Sequence, residues 1–115
     1  MQNRINVLFV CSKNKWRSRT AETIYKNHPQ FNVKSAGTEQ GAEIKVDDKL
    51  INWANVIFVM EKKHKEFLQR AFPSFSQKKI SILDIPDEYK YMDAELIDMI
   101  QTCVEDFFKL DKGSD

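Results

Sequence analysis

Cys11 and Arg17 are the residues of this chain whose types and spacing best suit covalent chemistry. They bracket the run C-S-K-N-K-W-R-S, Cys11 to Ser18. A thiol attacks as its thiolate, a form favoured by a helix N-terminus and a neighbouring guanidinium. The planar guanidinium of an arginine can grip two oxygens of a phosphoryl group at once. Ser18 can donate its hydroxyl to the thiolate. In-line attack of such a sulfur on phosphorus gives a phosphocysteine, which water must then cleave. Breaking the ester also requires a proton for the leaving oxygen, and a carboxylic acid on a loop supplies roughly 10²–10⁴-fold that way. Asp84, Asp87 and Glu88 in L-D-I-P-D-E-Y are the candidates. Tyr89 and Tyr91, beside them, can wall a deep pocket that admits an aryl phosphate and stacks on its ring.

The elements around these residues give the chemistry its frame. Val7 to Val10 is a short apolar run that reads as a buried strand ending in Cys11. Ser12 to Trp16 is a polar loop, and a helix is expected from Arg17 to about Asn27. Loop N–H groups then converge at a helix N-terminus, where an anion is stabilised by dipole and hydrogen bonds. Further strands are expected at Phe31–Ala36, Asn55–Met60 and Lys79–Ile85. Helices are expected from Asp47 or Asp48 to Trp53, from Glu61 to Phe72 and from about Asp93 onward. The last helix carries the stripe Leu96, Met99, Ile100, Cys103, Phe107 and Leu110, so Cys103 reads as a core thiol. His28 reads as a helix-end residue. His64, among lysines and glutamates, is expected on a solvated helix face. Gly113 to Asp115 reads as a polar, frayed end.

Strands alternating with helices predict an α/β fold: a parallel four-stranded sheet of order 2-1-3-4, with helices on both faces in three layers. That order puts a switch point beside strand one, where open α/β sheets bind ligands outside the carboxyl ends of their strands. The acidic, aromatic loop after strand four shares this rim with Cys11.

A chain of 115 residues with 42% hydrophobic and 30% charged residues is expected to form one domain, residues 1–115, rather than a disordered segment. A net charge of +1 gives no electrostatic case for nucleic acid or an anionic membrane as partner. The 2 cysteines are too few for a disulfide framework. No signal peptide or membrane-length apolar run is seen, so a cytoplasmic, reducing location is expected. No metal site and no cofactor are expected, and His28 has no Cys or acidic partner spaced for metal binding.

Val10-Cys11 through Arg17-Ser18, with Asn14 and Ala21-Glu22, resembles the phosphate loop of low-molecular-weight protein tyrosine phosphatases. Ser35-Ala36-Gly37-Thr38 and the stretch from Trp53 to Leu68 resemble later segments of the same family in the same order. The resemblance implies Cys11 as nucleophile and Arg17 as oxyanion clamp. It implies phosphate binding by Ser12, Lys13, Asn14, Lys15, Trp16 and Ser18, and a serine, here Ser35, that braces the loop through Asn14. The family carries Asp-Pro-Tyr in its acid loop. Asp87-Glu88-Tyr89 matches it here, pointing to Asp87 as general acid and Tyr89 as pocket wall, with Asp84 as the alternative. The implied partners are a phosphotyrosine protein or aryl phosphate, and inorganic phosphate or another oxyanion in the loop.

The chain also departs from the family. Lys13 replaces the usual loop glycine, so a positive φ there would be strained. Trp16 replaces a second loop cysteine that many members use for redox protection, and is placed on the pocket rim. Lys13, Lys15, Arg17 and Arg19 make the loop basic. The family's longer middle segment, with a helix and a loop-supporting histidine, has no counterpart here, so the chain looks like a small, trimmed member and the bracing of Asn14 stays open. Three other readings share the fold: an arsenate reductase, which needs more redox cysteines; a phosphocarrier, which needs neither Arg17 nor the acid loop; and a phosphate-loop binding module with little turnover.

Overall fold

The computed structural model describes residues 4–111, the side chains of residues 110 and 111 excepted. In chain order the elements are β1 (Ile5–Cys11), α1 (Arg17–Tyr25), β2 (Phe31–Gly37), α2 (Asp48–Trp53), β3 (Val56–Val59), α3 (Lys62–Ala71), a 3₁₀ turn (Pro73–Gln77), β4 (Lys79–Ile82) and α4 (Ala94–Asp111). The sheet order is β2-β1-β3-β4 and every pairing is parallel. The expected order is therefore found. Cys11 closes β1 opposite Gly37 of β2. The polar residues Glu39–Lys45 and Asp84–Asp93 follow β2 and β4 at the same carboxyl rim.

Side chains alternate across a strand, and β1 uses both faces fully. Val7, Phe9 and Cys11 join one core with Ala21 and Tyr25 of α1, Phe58 of β3, and Leu96, Ile100 and Val104 of α4. Leu8 and Val10 join the other with Ile51 of α2, Ile57 and Val59 of β3, Leu68 of α3 and Phe75. Phe9 stacks on Phe58 at 5.4 Å between centroids and on Tyr25 at 6.1 Å. Each such buried ring contributes about 1.5–3 kcal/mol. The continuous apolar runs at Val7–Val10 and Val56–Val59 are thus the signature of strands covered on both sides.

The two expected aspartate caps set helix starts, while β4 and α1 end earlier than the sequence suggests. α2 begins at Asp48 because the Asp47 carboxylate accepts the Leu50 N–H at 2.9 Å. α4 begins at Ala94 because Asp93 accepts from the Glu95 N–H at 2.9 Å. β4 ends at Ile82, not Ile85, since Asp84 takes a positive φ of 60° and turns the chain. Leu83 and Ile85 nevertheless bond to the carbonyls of Val59 and Met60. α1 ends at Tyr25 rather than Asn27. His28 lies beyond it, stacked on Phe31 at 4.2 Å. The 3₁₀ turn after Pro73, which buries Phe75, has no clear sequence signal. Leu110, on the expected apolar stripe, has its side chain outside the described set, and Gly113 to Asp115 lie outside the described residues. Among the described residues no helix is long and apolar enough to cross a membrane.

Candidate active site

The loop between Cys11 and Arg17 is shaped from outside. The carbonyls of Cys11, Ser12 and Lys13 accept hydrogen bonds from the N–H groups of Thr38, Glu39 and Glu43, at 3.0, 2.9 and 3.1 Å. In a trans peptide the C=O and the following N–H point opposite ways. Turning those carbonyls outward turns the N–H groups of Ser12, Lys13 and Asn14 inward. The first helical bond of α1 runs from the Thr20 N–H to the Trp16 carbonyl at 2.9 Å. The amides of Arg17, Ser18 and Arg19 are therefore the free donors of a helix start. Together these N–H groups form the kind of nest that binds anions. Gly37 makes the close approach possible: a Cβ there would lie 2.5 Å from the Ser12 carbonyl oxygen and 2.9 Å from the Asn14 nitrogen.

The strained residue of the loop is Asn14, with φ of 56°, and not Lys13. Asparagine tolerates this left-handed conformation better than most residues, and Lys13 incurs no positive-φ penalty. Asn14 is fully buried and fully bonded. Its Nδ2 donates to Ser18 Oγ at 2.8 Å and to Ser35 Oγ at 2.9 Å, and its Oδ1 accepts from the Ile44 N–H at 3.1 Å. Ser35 Oγ in turn donates to Glu22 Oε1 at 2.5 Å. Because Ser18 Oγ accepts from Asn14, its own hydrogen is free for Cys11 Sγ, 3.0 Å away. Asn14 is therefore braced by Ser18, Ser35 and the Ile44 amide, the point that the sequence left open.

Arg17 is buried, with only 2% of its surface exposed. Its Nη1 donates to Glu61 Oε2 at 2.5 Å and to the Ile85 carbonyl at 2.8 Å, and its Nε lies 3.7 Å from Asp87 Oδ1. Burial pushes the Glu61 carboxyl up, but the hydrogen bond and charge of Arg17, helped by Lys63, outweigh it and hold it below the usual range. Glu61 thus fixes the guanidinium while Asp87 reaches it from the loop after β4.

His64 is one residue that sequence reasoning misplaced. It is buried, not solvated. Its Nδ1 accepts the Glu61 N–H at 3.0 Å at the start of α3, and its Nε2 lies 2.9 Å from Ser12 Oγ. The one legible signal was its place at the third position of a helix that opens on Glu61, where a side chain can fold back onto the capping N–H. Burial, then the charge of Arg17, lowers its pKa from the ordinary 6.5 to about 4. This makes stability pH-dependent. Above about pH 6.5 the ring is neutral whether folded or not. Between 6.5 and about 4 the unfolded chain binds a proton that the folded chain refuses, so stability falls as pH falls. Denaturant titrations should show about 3 kcal/mol lost across that window, and His64→Gln should flatten the slope.

Cys11, Ser12, Lys13, Lys15, Trp16, Arg17 and Asp87 line one cavity of about 230 Å³. Trp16 is half exposed at its rim, with Lys15 Nζ 5.2 Å from the ring centre. Tyr89 is not among the residues lining it: its ring packs against the core that β1, α1, β3 and α4 share, and its hydroxyl is 3.5 Å from Glu95 Oε2. Tyr91 is exposed and bonds Thr23 at 2.8 Å. Asp84 faces α4, where its charge, after burial and Asp106, raises the Cys103 thiol. Arg19 does not add to the loop's basic charge, being paired with Glu43 and with Glu22. Among the described residues no group of three or more His, Cys, Asp or Glu could hold a metal ion.

No protein-family model matches this chain, and no curated protein matches its sequence. Solved structures do match its fold. The YwlE arginine phosphatase from Geobacillus stearothermophilus superposes with a TM-score of 0.73 at 22% identity, covering 96% of this chain and 99% of that one. The tyrosine phosphatase Wzb from Escherichia coli K30, in complex with phosphate, gives 0.75 at 20% identity over 94% and 99%. A low-molecular-weight protein tyrosine phosphatase from T. tengcongensis gives 0.70 at 20% identity over 89% and 99%. The chain therefore has the fold of the low-molecular-weight protein tyrosine phosphatases, with a thiol, an arginine and a carboxylate converging on one cavity at the carboxyl rim of its sheet.

Proposed function

We propose that the chain, acting as one domain over residues 1–115, is a cysteine-dependent phosphomonoester hydrolase for phosphotyrosine or aryl phosphates. The observation that carries this is the convergence of Cys11, Arg17 and Asp87 on a cavity lined by a loop with inward N–H groups. Cys11 Sγ attacks phosphorus, the phosphorus–oxygen ester bond breaks, and Asp87 gives its proton to the leaving oxygen. Ser18 stabilises the sulfur through the hydroxyl hydrogen that Asn14 leaves free. Arg17 and the loop amides hold the three non-bridging oxygens as charge shifts among them. Asp87, now ionised, takes a proton from water as that water attacks the phosphocysteine, releasing inorganic phosphate and the thiolate. Amides and guanidinium supply the charge stabilisation, so the chemistry calls for no metal. A reducing, cytoplasmic location suits a working thiol.

Lys13, Lys15 and the Trp16 ring at the cavity lip favour an aryl phosphate over a phosphoryl group carried on a positively charged guanidinium, as the name of the arginine phosphatases of like fold implies for them. Hydrolysis of a phosphotyrosine peptide and of a phosphoarginine peptide, compared at equal concentration, tests that preference. Trapping a phosphoryl group on Cys11 tests the reading itself. Absence of turnover with retained phosphate binding would make the chain a binding module instead.

Asp87→Asn should lower kcat by about 10²–10³-fold toward phenyl phosphate and far less toward para-nitrophenyl phosphate, whose leaving group needs no proton. Asp84→Asn should leave both rates unchanged. Steady-state rates with the two esters decide between the acids, and an active Asp87→Asn enzyme would reassign the role.

A further inference from the structure

We propose that the side-chain hydroxyl of Ser12 is itself a donor to the anion held in the loop, and that His64 is the positioning residue that aims it. This rests on the phosphoryl-transfer reading above and adds to it a donor beyond the backbone amides, Arg17 and Ser18.

The argument is a count of hydrogens. The Glu61 N–H points at His64 Nδ1 over 3.0 Å, so that nitrogen must carry a lone pair. Burial beside Arg17 keeps the ring neutral, so its single proton sits on Nε2. That proton is directed at Ser12 Oγ, 2.9 Å away. Ser12 therefore accepts from His64 and cannot donate to it. Its hydroxyl hydrogen has no protein acceptor among the described residues, and Ser12 lines the cavity that holds Cys11, Arg17 and Asp87. A hydroxyl that accepts from His64 must turn its own hydrogen away from that ring, and the cavity that Ser12 lines is where an anion would offer it an acceptor. Neighbouring charges come from every side of the ring: Arg17 of α1, Glu61 and Lys63 of α3, and Asp87 after β4. None of them competes for the Ser12 hydrogen, since none is bonded to Ser12. The backbone of α3 thus sets, through one neutral ring, the direction of a donor next to the nucleophile.

The test uses inorganic phosphate and vanadate as probes, with dissociation constants from calorimetry or inhibition. Ser12→Ala should weaken both by about tenfold or more, the loss of one hydrogen bond to a charged acceptor. His64→Asn separates positioning from capping. Its amide oxygen can still accept the Glu61 N–H, but its amide nitrogen falls short of Ser12. It should weaken the anions as Ser12→Ala does while leaving the thermal midpoint near wild type. The double variant should be no weaker than Ser12→Ala alone. His64→Gln, whose amide nitrogen reaches the Nε2 position, should recover most of the affinity. Wild-type affinity in Ser12→Ala, or additive losses in the double variant, would overturn the proposal. If the wild-type chain binds neither anion and neither protects Cys11 from alkylation, the phosphoryl-transfer reading itself falls, a result distinct from both.

Discussion

Replacing Cys11 by serine should abolish turnover and leave anion binding nearly intact. A serine hydroxyl in that place is close in size but stays protonated, so it is a far weaker nucleophile than a thiolate and a far poorer leaving group from phosphorus. The fall in kcat should be on the order of 10⁴-fold or more, as for other nucleophile deletions. Binding should survive because the anion's partners lie elsewhere. The inward N–H groups are held by carbonyl bonds to Thr38, Glu39 and Glu43, and Arg17 is held by Glu61 and the Ile85 carbonyl. Calorimetric titration with inorganic phosphate, paired with rates on an aryl phosphate, reads both halves. A Cys11→Ser chain that still turns over would transfer the nucleophile's role away from this loop.

Arg17 should show the second largest effect, and it should appear in two measurements at once. Arg17→Ala removes the clamp on the phosphoryl oxygens, so kcat/KM should fall by about 10³-fold. It also leaves the Glu61 carboxylate, with 29% of its side chain exposed, without its main partner. Breaking a largely buried pair from one side costs about 3–5 kcal/mol when fully desolvated, and about 2 kcal/mol is expected here. Adding Glu61→Gln to Arg17→Ala should restore most of the stability and none of the activity. Arg17→Lys should keep the fold, because an ammonium can still meet Glu61, but lose the two-oxygen grip. Melting curves alongside kcat/KM test the separation; activity restored by Glu61→Gln would show that Arg17 acts only through the fold.

Much of this arrangement was legible in the chain itself. The apolar runs of β1 and β3, bounded by polar loops and helical patterns, specify a parallel sheet because only strands covered on both faces can be apolar throughout. The spacing of Cys11, Arg17 and Ser18 around a strand-to-helix turn specified the loop. What stayed hidden depends on contacts that no local pattern carries. His64 looked solvated because its neighbours in sequence are charged, yet one helical position is turned inward by the fold-back onto Glu61. Lys13 looked strained by comparison with a glycine, but the positive φ falls on the next residue. Tyr89 looked like a pocket wall from its place after Asp87, and instead the chain turns it toward α4. Glu61 was read as a helix end and not as the partner of Arg17, 44 residues away.

The way the loop is fastened sets which changes the segment after β2 can absorb. Its grip on Cys11, Ser12 and Lys13 is made by main-chain atoms alone, so the identities of the side chains at positions 38, 39 and 43 are largely irrelevant to it. A library of random substitutions across those positions should be permissive with one systematic gap. Proline, which has no hydrogen to give, is the residue that would be missing from every functional clone at all three.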